Sequence, residues 1–331
     1  MVKIGLLGVG HLGKIHLKLL CQIPTIEVVG FYDPSAKARK RAEDTYGVKA
    51  FDSMEELIDA VDAVDIVTPT TTHFECAKQA IEKGKHIFIE KPLTHTLEEA
   101  QALKAMAEAK GIVAQVGHVE RFNPAFLPLR NMKVKPGFIE GHRLAQWNPR
   151  GTDVSVVLDL MIHDIDLVLH LVGSPVKEVS ASGVSVISHS ADIANARITF
   201  ANGCVANLTA SRISMKNMRK LRLFQPSGYL SIDFLSKKTD HFLISDEKPE
   251  PAPGKLSYAF EKDDAQKFLT YESVAIEPVN SIKMELEEFA ASIESGSPIQ
   301  VSLEDGMRAL ETAYEILARI EESMQLMNPD D

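Results

Sequence analysis

The sequence predicts an α/β chain of two domains. Residues 1–122 read as a parallel-sheet domain, and residues 123–331 as an α+β domain built on an open, mostly antiparallel sheet. The C-terminal helices are free to pack back on the first domain. Three observations carry this expectation. The first third alternates short apolar runs with amphipathic stretches, the pattern of strand–helix–strand crossovers in a parallel sheet. After Phe122 strand-like runs follow one another with turn signals between them, which means antiparallel pairing. A length of 331 residues, 45% hydrophobic and 25% charged, suits two soluble globular domains.

Val2–Leu7, Glu27–Tyr32, Ala63–Val67, His86–Ile89 and Ile112–Val116 are expected strands, because each is a short apolar run suited to cover on both faces. Between them His11–Cys21, Ala36–Tyr46, Met54–Ala60, Phe74–Lys83 and Leu97–Lys110 space apolar residues at the helical period. Ser53 with Glu56, and Thr96 with Glu99, have capping-box spacing. Past Phe122 a helix is expected over Val154–Leu171. Strands follow at Lys177–Ser188, Asp192–Phe200, Cys204–Ser211, Lys220–Phe224 and Tyr229–Phe234. Asn202-Gly203 marks a two-residue hairpin. Pro249–Gly254 reads as loop. Helices over Ser281–Ser295 and Leu303–Glu322 close the chain, the second entered through Ser302 as N-cap.

Composition narrows the partners. Lys and Arg number 36 against 46 Asp and Glu, a net charge of −10 that argues against a nucleic-acid or anionic-membrane surface. A local basic pocket for a small anion stays compatible with that balance. Cys21, Cys76 and Cys204 are odd in number and far apart, so neither a disulfide framework nor a zinc site is expected, and the setting is a reducing, cytoplasmic one. No stretch has the uninterrupted apolar length of a membrane span.

Gly8-Val9-Gly10-His11-Leu12-Gly13 matches G-x-G-x-x-G between the first strand and the first helix, and Asp33 ends the second strand twenty residues beyond Gly13. In a dinucleotide-binding Rossmann unit the first glycine makes the tight turn and the second admits the pyrophosphate. The third lets helix and strand approach, and the helix N-terminus faces the phosphates with its N–H groups. Asp33 can accept the ribose hydroxyls, which favours NAD; the basic Lys37, Arg39, Lys40 and Arg41 nearby keep NADP in play.

Glu90-Lys91-Pro92 follows the fourth strand, at the carboxyl edge where open α/β sheets bind ligands. A solvated strand-end lysine would read the same way. Asp159 and His163 lie four apart on the expected helix, so the carboxylate can hold the imidazole as a proton acceptor for a hydroxyl being oxidised. A capping or salt-bridged histidine, or a metal site with Asp166, are the alternatives; hydride transfer to NAD needs no metal.

These motifs, in this order and with the closing Phe289…Gly296-x-Pro298…Asp305-Gly306, resemble the Gfo/Idh/MocA oxidoreductases over nearly the whole chain. The resemblance implies NAD(P)-dependent oxidation of a sugar or cyclitol, with Lys91 and His163 as the catalytic pair and Asp159 in support. It also implies cofactor contacts from Gly8, Gly10, His11, Leu12, Gly13, Asp33, Glu90 and Lys91. The loop Thr68-Pro69-Thr70-Thr71-Thr72-His73 is similar to the family's cofactor loop, bringing in Thr68, Pro69, Thr70 and His73. Where many members carry a Gly-Gly pair before the catalytic helix, Val154-Ser155-Val156-Val157 stands here.

Gly117–Pro124 and Val157–Asp166 look most like members acting on nucleotide-activated amino sugars, the UDP-N-acetylglucosamine 3-dehydrogenase group, which oxidise the 3-hydroxyl to a ketone. A diphosphate asks for guanidinium forks. Arg121, Arg150 and Arg212 are the candidates, with Lys216, Arg219, Lys220 and Arg222 in one basic run and Trp147 or Tyr229 to stack on the base. That run could equally be a solvated sheet edge or a subunit interface. A dehydrogenase of a free sugar, cyclitol or dihydrodiol, and a non-catalytic dinucleotide-sensing regulator, are the competing readings. The resemblance further implies a homodimer or homotetramer formed through the open sheet.

Overall fold

Five parallel strands, Val2–Leu7 (β1), Ile26–Tyr32 (β2), Ala63–Ile66 (β3), His86–Glu90 (β4) and Ala114–Gly117 (β5), form the first sheet. Their order is β2-β1-β3-β4-β5. The computed structural model describes residues 1–148, 154–251, 254–262 and 265–327. By contact the chain divides into Met1–Phe122 with Asn280–Leu310, and Asn123–Val279 with Glu311–Asp331.

In the first unit the connections are His11–Leu20 (α1), Ala36–Tyr46 (α2), Met54–Asp59 (α3), His73–Glu82 (α4) and Leu97–Lys110 (α5). Thr96 and Glu99 close a full capping box, and Ser53 Oγ accepts from the Glu56 N–H at 3.2 Å. All four residues of β3 are buried, as a strand covered on both faces must be. Ile4, Leu6, Leu17 and Phe88 form one apolar cluster with Leu286, Phe289 and Ala290 from a distant helix, Ser281–Ser295.

Among its described residues the second unit holds nine strands. They are Phe138–Leu144 (β6), Val176–Val184 (β7), Ile193–Phe200 (β8), Val205–Ser211 (β9), Met218–Gln225 (β10), Gly228–Asp233 (β11), Lys238–Ser245 (β12), Lys255–Lys262 (β13) and Ala265–Ser273 (β14). Their order is β13-β14-β12-β11-β10-β6-β9-β8-β7, and β6 with β9 is the one parallel pair. A π-helical turn, Val157–Met161, leads into Ile162–Val172 (α6), which packs on β6 and β9. Ser281–Ser295 (α7) and Leu303–Met327 (α8) end the described chain.

Register sorts the two faces of this sheet. Ile139, Leu208, Leu221, Ile198 and Ile232 share one face and are fully buried. On the opposite face Phe138, Phe224, Tyr229, Phe242 and Tyr271 stand directly opposite one another across five strands. Their ring centroids are 5.9, 5.4, 4.2 and 4.9 Å apart in sequence along the row. Such cross-strand aromatic contacts are a main source of sheet stability.

Three expectations change. The strand expected to reach Ser188 ends at Val184, because the Asp192 carboxylate gathers the N–H groups of Val186, Ile187 and Ser188 at 2.6–2.9 Å into a loop. The hairpin at Asn202-Gly203 has three loop residues, not two: Phe200 N–H donates to Cys204 O, and Gly203 takes φ +88°. Finally β6, β12, β13 and β14 were not expected, since sequences such as Lys-Thr-Asp-His-Phe-Leu-Ile-Ser mix polar groups into both faces.

Candidate active site

The glycine loop has the geometry its sequence asks for. Gly8 sits at φ +92°, and a Cβ there would stand 2.7 Å from Val67 O. A Cβ on Gly13 would stand 2.0 Å from Gly8 O, so this glycine is what lets α1 start against the loop. At Gly10 a Cβ would meet nothing within 4 Å: the space there is open, and it adjoins a cavity of about 730 Å³. Gly8, Gly10, His11, Leu12, Asp33, Thr68 and Pro69 all line that cavity, with Gly13 just behind it.

Asp33 is held from both ends of its carboxylate. Oδ2 accepts from the Val9 N–H at 3.0 Å and Oδ1 from the Ser35 N–H at 2.9 Å. Each oxygen keeps a further lone pair for a ribose hydroxyl. Nearby cations are committed to neighbours: Arg39 donates to Asp33 O at 2.8 Å and lies 3.6 Å from Asp52, while Lys40 pairs with Asp44 at 2.7 Å. An open glycine loop, an anchored acceptor and a cavity at a helix N-terminus together fit a dinucleotide such as NAD. Tyr32, Met54, Thr72, Glu75 and Cys76 also line the cavity. Of these Tyr32 carried a signal, its place beside Asp33, and so did Thr72, within the loop after β3.

One expected cofactor contact turns out to be internal. His73 is buried, its Nε2 2.9 Å from Thr68 O and its Nδ1 3.0 Å from Pro92 O. It staples the loop after β3 to the loop after β4. Thr70 opens the 3₁₀ turn Thr70–Thr72 that leads into α4, outside the cavity lining. Glu90 is 8% exposed, and its Oε2 accepts from the Lys91 N–H at 3.2 Å. Gly117 makes room for that carboxylate, because a Cβ there would lie 2.8 Å from Oε1. Lys91 itself is half-buried at the end of β4, and the Lys91–Pro92 peptide is cis.

In the second unit Asp159 lies in the π-helical turn and His163 in the first turn of α6, both half-buried. Turns of this kind recur at functional sites. Ser155 starts the turn, accepting from Leu158 N–H through Oγ and from Asp159 N–H through its carbonyl. Beside His163, Asp164 is buried and forked by Arg143: Nε stands 3.1 Å from both carboxylate oxygens and Nη2 2.7 Å from Oδ1.

The expected diphosphate ligands each have their own surroundings. Arg121 is buried, 3.6 Å from Asp305. Trp147 is 39% exposed, and Arg150 lies outside the described residues. Arg212 is buried against the 185–192 loop, donating to Ser190 Oγ and Ala191 O, with Asp192 3.4 Å away. It works as a loop clamp. Lys220 pairs with Asp233 at 3.3 Å and Arg222 with Glu140, both exposed on β10, the central strand of the sheet, so this run lies on an open face and not at an edge. Tyr229 is stacked between Phe224 and Phe242, so packing displaces the base-stacking expectation.

Residues 2–118 match the model of an oxidoreductase family with an NAD-binding Rossmann fold, and residues 135–230 match the Gfo/Idh/MocA C-terminal domain. The chain belongs to the Gfo/Idh/MocA family. It is therefore an NAD-dependent dehydrogenase, which closes the regulator reading. The UDP-N-acetylglucosamine 3-dehydrogenase of Acidithiobacillus ferrooxidans is 42% identical over 236 residues, 71% of this chain and 75% of its own. The solved structure of that enzyme superposes with a TM-score of 0.88 at 34% identity, covering 98% of this chain and 99% of its own. The NAD⁺ scyllo-inositol 2-dehydrogenase of Bacillus subtilis is 32% identical over 233 residues, 64% of this chain and 68% of its own. Among the described residues no helix is long and apolar enough to cross a membrane.

Proposed function

We propose that this member of the Gfo/Idh/MocA family oxidises the 3-hydroxyl of a nucleotide-activated amino sugar, UDP-N-acetylglucosamine being the substrate to test first. The observation that carries this reading is the likeness to an enzyme of that name across 98% of the chain, which takes in the second unit as well as the shared Rossmann unit. Bound NAD supplies the hydride acceptor. Gly8, Gly10 and the start of α1 hold its pyrophosphate, and Asp33 its ribose. His163, supported by Asp159, takes the hydroxyl proton as the carbon-bound hydrogen leaves with its electron pair. The Lys91 ammonium donates to the reacting oxygen and stabilises the charge that develops there. Arg121 and Trp147 remain candidates for the nucleotide.

A thermal-shift and turnover screen with UDP, UDP-N-acetylglucosamine and myo-inositol, each with NAD, tests the assignment. Stabilisation by both uridine nucleotides with turnover of the sugar nucleotide is expected. Stabilisation and turnover with inositol alone would move the chain to the cyclitol reading. We further propose that the aromatic row over β6, β10, β11, β12 and β14 is covered by a second copy in a homodimer or homotetramer, which light scattering checks. A cytoplasmic home fits the free thiols of Cys21, Cys76 and Cys204.

A further inference from the structure

Beneath the cofactor loops, four elements of the first unit bring ionisable side chains to one buried spot. His16 comes from α1, Asp65 from β3, Glu90 from β4 and Glu285 from α7, all no more than 8% exposed. His16 Nδ1 lies 2.9 Å from Asp65 Oδ2, and Nε2 lies 3.3 Å from Glu90 Oε1. Nδ1 is in hydrogen-bonding range of Asp65, and Nε2, without a hydrogen bond, faces the Glu90 carboxylate, an arrangement that favours the imidazolium form. An imidazolium has no lone pair for a metal, which argues against a cation among His16, Glu90 and Glu285, although one donor atom of each lies within 4.8 Å of the other two. From the sheet, Gln115 on β5 donates to the Glu285 carbonyl at 3.1 Å.

Glu285 is the member out of balance. Both its carboxyl oxygens are buried without a hydrogen-bond donor. Asp65 and Glu90 already answer the one positive charge of His16, and a third carboxylate in a dry site would be very costly. A carboxylic acid on Glu285 resolves this: it adds no further charge to the site, where one of its oxygens lies within 4.8 Å of the Glu90 carboxylate. The direction of titration agrees. Burial and the nearby Glu90 charge lift Glu285 well above the carboxylate range. Burial opposes the charge on His16, but Asp65 and Glu90 outweigh it and lift that ring well above the usual histidine value.

We propose that His16, Asp65 and protonated Glu285 are positioning residues that fix the Glu90 carboxylate, and through its hydrogen bond to the Lys91 N–H fix the catalytic lysine. This rests on the role given above to Lys91. Glu90 is thus held by His16 from one side and by Gly117, which leaves it space, from the other. The chemistry that tunes the strand end comes from α1 and α7, neither of which carries a reacting group.

The test uses the full chain with NAD and UDP-N-acetylglucosamine. Glu285→Gln keeps shape and neutrality and should retain at least ~10-fold more kcat than Glu285→Ala, with KM for NAD alike in both. His16→Gln should lower kcat at least ~10-fold at similar KM for NAD, and should raise amide hydrogen exchange across residues 88–95 selectively. Because the folded acid holds its proton more tightly than the unfolded one, Glu285 stabilises the fold least at high pH. The fall in Tm from pH ~5 to ~8 should therefore be smaller in Glu285→Gln than in the wild type. Equal damage from Gln and Ala at position 285, an unchanged pH slope, or unchanged exchange in His16→Gln would each overturn the proposal. Should Lys91→Ala leave NAD reduction intact, the role of Lys91 fails instead, while the exchange and melting measurements still decide how Glu90 is held.

Discussion

In the first unit Gly8, Asp33, Thr68 and Lys91 follow the ends of β1, β2, β3 and β4 in turn, whereas in the second unit Asp159 and His163 come from one helical segment laid on an antiparallel sheet. Parallel strands deliver their carboxyl ends to one edge, so topology alone assembles the cofactor site. An antiparallel sheet has no such edge. There the proposed pair sits beside a side-chain anchor, the Arg143–Asp164 fork on α6. Backbone geometry gathers the loop ends of the first unit, and buried ion pairs steady side chains in both units.

The largest expected effect tests whether both units carry chemistry at all. Lys91→Ala and His163→Ala should each lower kcat/KM by about 10²–10⁴, as loss of a proton-transfer or charge-stabilising group does. Wild-type NAD reduction by either variant would strip its unit of the catalytic role. Next comes the anchor of the second unit. Arg143→Met takes the guanidinium fork from the buried Asp164, a loss of about 3–5 kcal/mol in denaturant melts. The pair Arg143→Met with Asp164→Leu should recover much of it, and no recovery would mean the fork does more than balance charge. The backbone logic of the first unit is probed by Gly13→Ala. Its Cβ would press on Gly8 O, and Kd for NAD should rise about 100-fold, or ~2.7 kcal/mol. The smallest effect belongs to the solvated face of β10: Lys220→Ala should change stability by less than about 1 kcal/mol in the same melts.

How much of this could be read from residues follows the same division. The glycine loop and Asp33 are local signals, and the five strands of the first sheet fell where their apolar runs stand. The His16–Asp65–Glu90–Glu285 cluster was illegible because its members are spread over 270 positions and meet only once α7 docks on the strands. Arg212 and Tyr229 look like ligand-binding residues in sequence, yet a buried carboxylate and a stacked row claim them. Nothing within a few residues of either announces that. The strands β12 to β14 were missed for a related reason: Asp240, His241 and Glu272 face cross-strand partners that only the register supplies.

The aromatic row also gives the molecule an optical signature. Tyr229 and Phe242 stack 4.2 Å apart at an interplanar angle of 10°, and Tyr271 continues the line. Fixed aromatic packing of this kind shows in near-ultraviolet circular dichroism and vanishes when tertiary order is lost. The single tryptophan of the chain, Trp147, lies in the same unit. Tryptophan emission therefore watches the antiparallel half, while bound NADH watches the parallel one. The two halves can be followed as separate colours through one unfolding experiment.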